Sequence, residues 1–289
     1  MVDPPYKSAN DLRWNSLHLK ASEVRVAAAF CMLRQNGIEP VLIKGWAVGR
    51  LYPIDRPRLS VDVDLAVAPD EFQKASIIRN NGSDPSVLVD LHKGFRHFDP
   101  RPWKETFRSS ILIPAEGAEI RVPSPEDHLR ILCAHWLNDG GVDRKRLWDI
   151  YYSVEKRPES FDWDRCLNAA GPERRSWVVY TIAMAHEYLG LPIDDLPMRD
   201  ELRNFPEWMR ETVEKEWASG VRLRDLRTCL GDWKLLRNQI RKRIPPNPIQ
   251  ATIEMQKSLD DPRRCYFQAR TVFRRAVYSA SKMRYRFSK

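Results

Sequence analysis

The stretch SVDVDLAV, residues 60–67, alternates strictly, with Val61, Val63 and Leu65 on one face of an extended chain and Asp62, Asp64 and Ala66 on the other. The alternation predicts a β-strand with one apolar face, and it puts two carboxylates on the opposite face, about 6.6 Å apart along the chain. On a packed strand two such charges repel each other and raise one pKa unless a cation neutralises them. A divalent ion does this, and oxygen ligands without clustered Cys or His favour Mg2+ or Mn2+ over zinc. Solvated acids on an edge strand are the competing explanation of the same three-residue pattern.

Working outward, EPVLIKG (39–45) is a short apolar run bounded by Pro40 and Gly45, followed by the helix-like WAVGRLY (46–52) and the turn-rich PIDRPRLS (53–60). A first helix is expected over 19–36, ended by Gly37, and another from about Pro69 to Asn80, closed by Asn81-Gly82. SVLVDLH (86–92) reads as a third strand and carries Asp90, which a neighbouring strand could bring beside Asp62 and Asp64. SSILIP (109–114) and AEIRVP (118–123) read as a hairpin, so five strands and about three helices fit into 19–123. Three carboxylates are enough for two ions about 3.5–4 Å apart, the arrangement that suits in-line phosphoryl or nucleotidyl transfer. Gly45 stands at a strand-to-helix junction, where free backbone N–H groups can hold a phosphate.

From Ser124 onward the periodicity is helical, with helices expected at 125–137, 143–157, 162–169, 172–190, 207–218, 221–243, 248–259 and 263–287. The fold class is therefore α+β: a small mixed sheet flanked by helices over 1–123, a mainly helical domain over 124–261, and a basic amphipathic helix over 262–289. The chain has 289 residues, 43% hydrophobic and 30% charged, which excludes a disordered chain, and no apolar run approaches the roughly 20 residues of a membrane span. The N-terminal sequence lacks an apolar stretch behind a basic start and the C-terminal one lacks a lipidation box, so a cytoplasmic protein is expected. Five cysteines without a CxxC pair are expected to be thiols. The net charge is +9, and residues 262–289 hold nine Lys or Arg and no acid, so the rest of the chain is balanced. That terminal helix has an apolar stripe at Tyr266, Ala269, Phe273 and Val277; it either packs on the body with its basic face in water or contacts a polyanion such as RNA, a membrane surface or substrate phosphates.

The residues also resemble a family. Lys44-Gly45 after an apolar strand, Leu51-Tyr52-Pro53, Arg58 ahead of Asp62-Val63-Asp64-Leu65, and Val89-Asp90-Leu91-His92 are similar to the uncharacterised bacterial nucleotidyltransferase family of the DNA polymerase β superfamily. So are Ser124-Pro125-Glu126-Asp127-His128-Leu129, His135, and Arg146-Leu147-Trp148-Asp149-Ile150-Tyr151, and the likeness extends over roughly residues 20–190. The resemblance implies a nucleotidyltransferase core with a helical domain closing the nucleotide cleft. It implies metal ligation by Asp62 and Asp64, with Asp90 as third ligand or general base, and a triphosphate approached by Gly45. One departure is Trp46, where the wider superfamily prefers Ser; phosphate contacts then fall to backbone N–H groups, Lys44 or Arg58.

Accessory candidates are His92, which shares its strand face with Asp90, and His135 and Asp149, on successive predicted helices joined by NDGGVD. The last two are expected to hydrogen-bond each other, or else to face the cleft with Arg144 and Lys145, where Lys145 would meet triphosphate charge. The expected activity moves a nucleoside monophosphate from an NTP to a hydroxyl of a peptide, protein, small molecule or RNA, releasing pyrophosphate. Relatives among genes for ribosomally made peptides, lasso peptides included, make peptide modification one option. The alternatives are an inert nucleotide- or RNA-binding protein of the same fold, and a phosphotransferase that releases nucleoside diphosphate.

Overall fold

A computed structural model describes residues 9–81, 88–96, 98–115, 117–221 and 223–287. The chain divides into two compact units, one of residues 1–132 and 148–170, the other of 133–147 and 171–289. The first holds helix α1 (Ala9–Arg34), strand β1 (Val41–Leu42), the short helix α2 (Trp46–Gly49), β2 (Val63–Val67), α3 (Phe72–Asn81), β3 (Val89–Lys93), α4 (Trp103–Arg108), β4 (Ile111–Ala115) and β5 (Ala118–Val122). Helices α5 (Pro125–Asn138), α6 (Leu147–Glu155) and α7 (Trp163–Asn168) follow. The boundary expected after residue 123 is therefore displaced. The start of α5 and the whole of α7 belong with the sheet because Asp127 and Arg130 of α5 and Arg165 of α7 join one buried ionic network with Asp99 and Arg101.

The five expected strands form two sheets. In the order β1-β2-β3, β1 runs antiparallel to β2, pairing Val41 with Ala66 and Leu42 with Leu65, while β3 runs parallel to β2, pairing Asp64 with Asp90 and Ala66 with His92. β4 and β5 form a separate antiparallel hairpin. The alternation of residues 60–67 works as expected from Val63 onward: Val63, Leu65, Val67 and Leu91 enter a core with Val26, Phe30 and Leu33 of α1 and Leu42 of β1. Helix α1 starts well before the expected Leu19, and α4 was not anticipated. The closure of α3 expected at Asn81-Gly82 runs into positions outside the described residues.

The second unit is helical: α8 (Pro172–Leu189), α9 (Arg199–Arg203), α10 (Glu207–Ser219), α11 (Trp233–Arg243), α12 (Pro248–Glu254) and α13 (Arg264–Phe287). Pro172 opens α8, and Gly190 closes it in the left-handed conformation that costs a glycine nothing. The helix expected over 221–243 begins only at Trp233, where the Asp232 side chain accepts from the Leu235 N–H; Leu226–Cys229 is a 3-10 turn. In α13 the expected apolar stripe is not the packed face. Phe267 and Thr271 are buried, whereas Tyr266, Phe273 and Val277 are exposed. All five cysteines are thiols outside any disulfide, and no helix among the described residues is long and apolar enough to cross a membrane.

Candidate metal centre

Because β1 is antiparallel to its neighbour, its C-terminal end lies beside the start of β2, and the parallel β3 starts at the same end of the sheet. Lys44, Asp64 and Asp90 therefore meet there. Asp64 and Asp90 are directly opposite in register and project from the face away from the core, and His92, two residues on, shares that face above the small Ala66. Ligand atoms of Asp64, Asp90 and His92 all lie within 4.8 Å of one another.

The three differ sharply in surroundings. Asp64 and His92 are buried, whereas the Asp90 side chain is 58% exposed. His92 Nε2 lies 3.3 Å from Asp64 Oδ1 and 3.2 Å from Asp90 Oδ2, so one ring N–H is shared between two carboxylates. Its Nδ1 is buried and has no hydrogen-bond partner among the described residues. Lys44 Nζ reaches Asp64 Oδ1 at 2.7 Å, and its ammonium also lies 5.7 Å from the centre of the Phe98 ring. Burial alone would raise the Asp64 pKa, but the His92 hydrogen bond and the Lys44 charge outweigh it and hold the carboxyl at about 2. Asp64 is thus an anion at every physiological pH.

Asp62 does not join this group. It precedes β2, is exposed, and its Oδ1 accepts from Ser60 Oγ at 3.3 Å. The strand begins only at Val63, so the parity that puts Asp62 on the Asp64 face does not extend to a paired position. Lys44, expected to meet phosphate, is held by Asp64 instead. Gly45 has a φ of +64°, and a Cβ placed there would come within 3.1 Å of Ser60 Oγ and 3.5 Å of the Asp62 carbonyl. The backbone thus accounts for the glycine: at that positive φ an L side chain is strained, and a Cβ would also make the Ser60 hydroxyl give by a few tenths of an ångström. Trp46 packs half-buried against the core.

Arg58 is likewise engaged. Its Nε donates to Asp149 Oδ1 at 2.6 Å and its Nη2 to Oδ2 at 3.1 Å, while the Tyr52 hydroxyl donates to the same Oδ1 at 2.6 Å. Burial would lower the Arg58 pKa, but the Asp149 charge more than offsets it; burial and then Asp149 push the Tyr52 hydroxyl up. Asp149 is therefore the anchor of the 52–58 loop, not the partner of His135. His135 Nε2 lies 2.9 Å from Arg146 Nη1 in the second unit, which also carries the exposed Lys145 on the 3-10 turn Arg144–Arg146.

Two contributors were not anticipated. Phe98 walls the centre, its ring 5.8 Å from that of His92. His128 Nε2 lies 3.2 Å from the Ile43 carbonyl and fixes the strand end that carries Lys44. Complete burial pushes the His128 pKa down to about 4, the nearby Arg50 charge adding to it, so the ring is neutral and its Nε2–H donates. The motif around His128 is legible in the sequence, but its spacing gives no sign of the Ile43 carbonyl 85 residues away.

No family model matches the chain, and no curated protein matches it. Among solved structures it is similar to one described as an antigenic nucleotidyltransferase-like protein from Paracoccidioides brasiliensis, at 16% identity over 65% of this chain and 93% of that chain, with a TM-score of 0.41. At that score the likeness carries no argument about this chain.

Proposed function

We propose that the first unit is a divalent-metal-dependent nucleotidyltransferase, with Asp64, Asp90 and His92 as the ion-holding residues. The observation that carries this reading is the in-register pairing of Asp64 with Asp90, with His92 Nε2 within 3.3 Å of an oxygen of each. Two carboxylates and an imidazole form a donor set that fits a divalent ion. The imidazole shifts the preference from magnesium towards manganese, which accepts nitrogen more readily. When bound, such an ion neutralises charge on a transferring phosphoryl group and makes a coordinated hydroxyl more acidic.

The chain's own residues divide the remaining work. Asp64 is permanently ionised and buried, so it holds position. Asp90 opens to solvent and is the carboxylate that an acceptor hydroxyl can reach, which makes it the base in this reading. Lys44 at Asp64 keeps the carboxylate face compact and lies within reach of a phosphate oxygen once Asp64 has another cation. Arg58, held by Asp149, which also accepts from Tyr52, shapes the loop that ends at Asp62. A two-ion version needs Asp62 to turn away from Ser60, and Asp62→Asn separates the two versions. The acceptor is a hydroxyl of a peptide, protein, small molecule or RNA.

The test is incubation of the purified chain with each alpha-labelled NTP, manganese or magnesium, and host lysate, followed by detection of labelled acceptor and released pyrophosphate. Transfer that disappears in Asp90→Asn, with the fold intact, supports the reading. If wild type and Asp90→Asn bind NTP equally and neither releases pyrophosphate, the inert nucleotide-binding alternative replaces it. Release of nucleoside diphosphate in place of pyrophosphate would make it a phosphotransferase.

A further inference from the structure

The described arginines at the start of α13 and just before it fall into two groups. Arg263, just before the helix, bonds both carboxylate oxygens of Asp261; Arg264 lies over the Trp208 ring at 4.9 Å; Arg275 pairs with Glu254 and Gln250. Arg270 and Arg274 have no carboxylate partner among the described residues: one donates to the Tyr266 hydroxyl at 3.3 Å and the other to the Glu254 carbonyl at 3.4 Å. These two uncompensated cations lie beside the exposed apolar face of the helix. Tyr266, Ala269, Phe273, Ala276 and Val277 recur at three- and four-residue intervals and so share one side. Phe273 is 70% exposed and Val277 52%, although α13 has a packed face available at Phe267 and Thr271.

A cleft of about 290 Å³ opens where this face meets α12, lined by Lys257, Arg263, Arg270 and Arg274. Its one acid, Glu254, is already held by Arg275. No Asp or Glu occurs from residue 262 to residue 289.

We propose that α13 lies on an anionic lipid surface, with Phe273, Val277 and Tyr266 entering the acyl boundary and Arg270 and Arg274 meeting headgroup phosphates at its edge. The character of the face selects this occupant. Its centre is aliphatic and aromatic, a surface that gains only from an apolar partner, and its cations stand to one flank, as an interfacial helix requires. A nucleic-acid arm would instead have its cations along the centre of the face and a stacking ring at each step, and Ala269, Ala276 and Val277 offer none. The basic cleft at the root of the face is sized and charged for a phosphate-bearing headgroup.

The experiment is co-sedimentation of the full chain with phosphatidylserine–phosphatidylcholine vesicles and with phosphatidylcholine vesicles alone. Binding is expected to the anionic vesicles, weakening as salt rises, and little to the neutral ones. The variant Arg270→Gln with Arg274→Gln is expected to bind about 25-fold more weakly, from about fivefold per basic residue near an anionic surface. The variant Phe273→Ser with Val277→Ser should lose binding while keeping the same thermal midpoint, because both side chains stand in water in the free protein. The proposal is overturned if wild type ignores anionic vesicles, if either double variant binds as wild type does, or if single-stranded RNA at the same salt competes the chain off the vesicles.

Discussion

Two clusters of buried charge in the first unit have opposite chemistry. In one, the carboxylates of Asp99 and Asp127, both with fully buried side chains, are met by Arg101 and Arg130, and Asp127 also by Arg165 and the Ser109 hydroxyl. Burial would raise the Asp99 pKa, and the Arg101 hydrogen bonds and the Arg130 charge bring it down instead. Every charge there has an opposite within reach, although Arg130 Nε is buried without a hydrogen-bond partner among the described residues. In the other cluster two carboxylates share one ammonium and one imidazole, Asp90 opens to water, and a buried ring nitrogen goes unused. The difference lies in the charges: those of the first cluster are all matched by counterions, whereas the second has an exposed carboxylate at its edge that a cation can reach.

The sharpest way to break the comparison is Asp127→Asn. Removing one charge from this network leaves Asp99 as the one buried carboxylate for both Arg101 and Arg130 and should cost about 3–5 kcal/mol of folding stability in denaturant titration. A loss below about 1 kcal/mol would show that the network is not structural. Next comes His128, which belongs to the architecture but supports the site. Its folded pKa of about 4 lies below the ordinary value of 6.5, so the unfolded chain takes up the proton first as pH falls. The contribution is whole above about pH 7.5 and declines from about pH 6.5 to about pH 4, by about 3 kcal/mol in total. His128→Gln should show a flatter stability profile across that window; an equal slope would contradict the assignment.

Replacing the pair Lys44 and Asp64 by Met and Leu should leave stability nearly unchanged, because a buried ion pair exchanged for apolar side chains of similar volume is close to neutral. The same double variant should lose manganese affinity by at least about 100-fold, judged against the 10–100-fold typical of a merely supporting residue. Retained affinity would put the ion elsewhere. Smallest of all is Asp62→Asn, which should move stability by no more than about 0.5 kcal/mol, with metal affinity as in wild type. A large loss of affinity there would restore the two-ion arrangement.

The sequence shows the sheet because period-two alternation at Val63, Leu65 and Val67 has one physical cause, a strand with a buried face. It also shows Asp64, Asp90 and His92, since parity along a strand fixes which side chains share a side. What it conceals is how far each strand runs. Parity alone cannot tell that β2 starts at Val63, and so Asp62 is grouped with Asp64 although one is exposed and the other buried. Long-range partners are equally hidden: nothing near Arg58 announces Asp149, 91 residues away, and a lysine after a strand gives no sign that it will turn back to the neighbouring carboxylate. In α13 the stripe itself is legible, but a second face with Phe267 and Thr271 competes for the packed side, and local pattern does not say which face wins.

The most direct measurement is manganese binding to the whole chain by titration calorimetry, in wild type and in Asp90→Asn, whose exposed side chain can change without unfolding the protein. Saturable uptake by wild type, lost in Asp90→Asn and kept in Asp62→Asn, is the predicted result. A folded wild-type chain that takes up no divalent ion, or an Asp90→Asn variant that binds as tightly as wild type, would contradict the metal centre and the activity built on it.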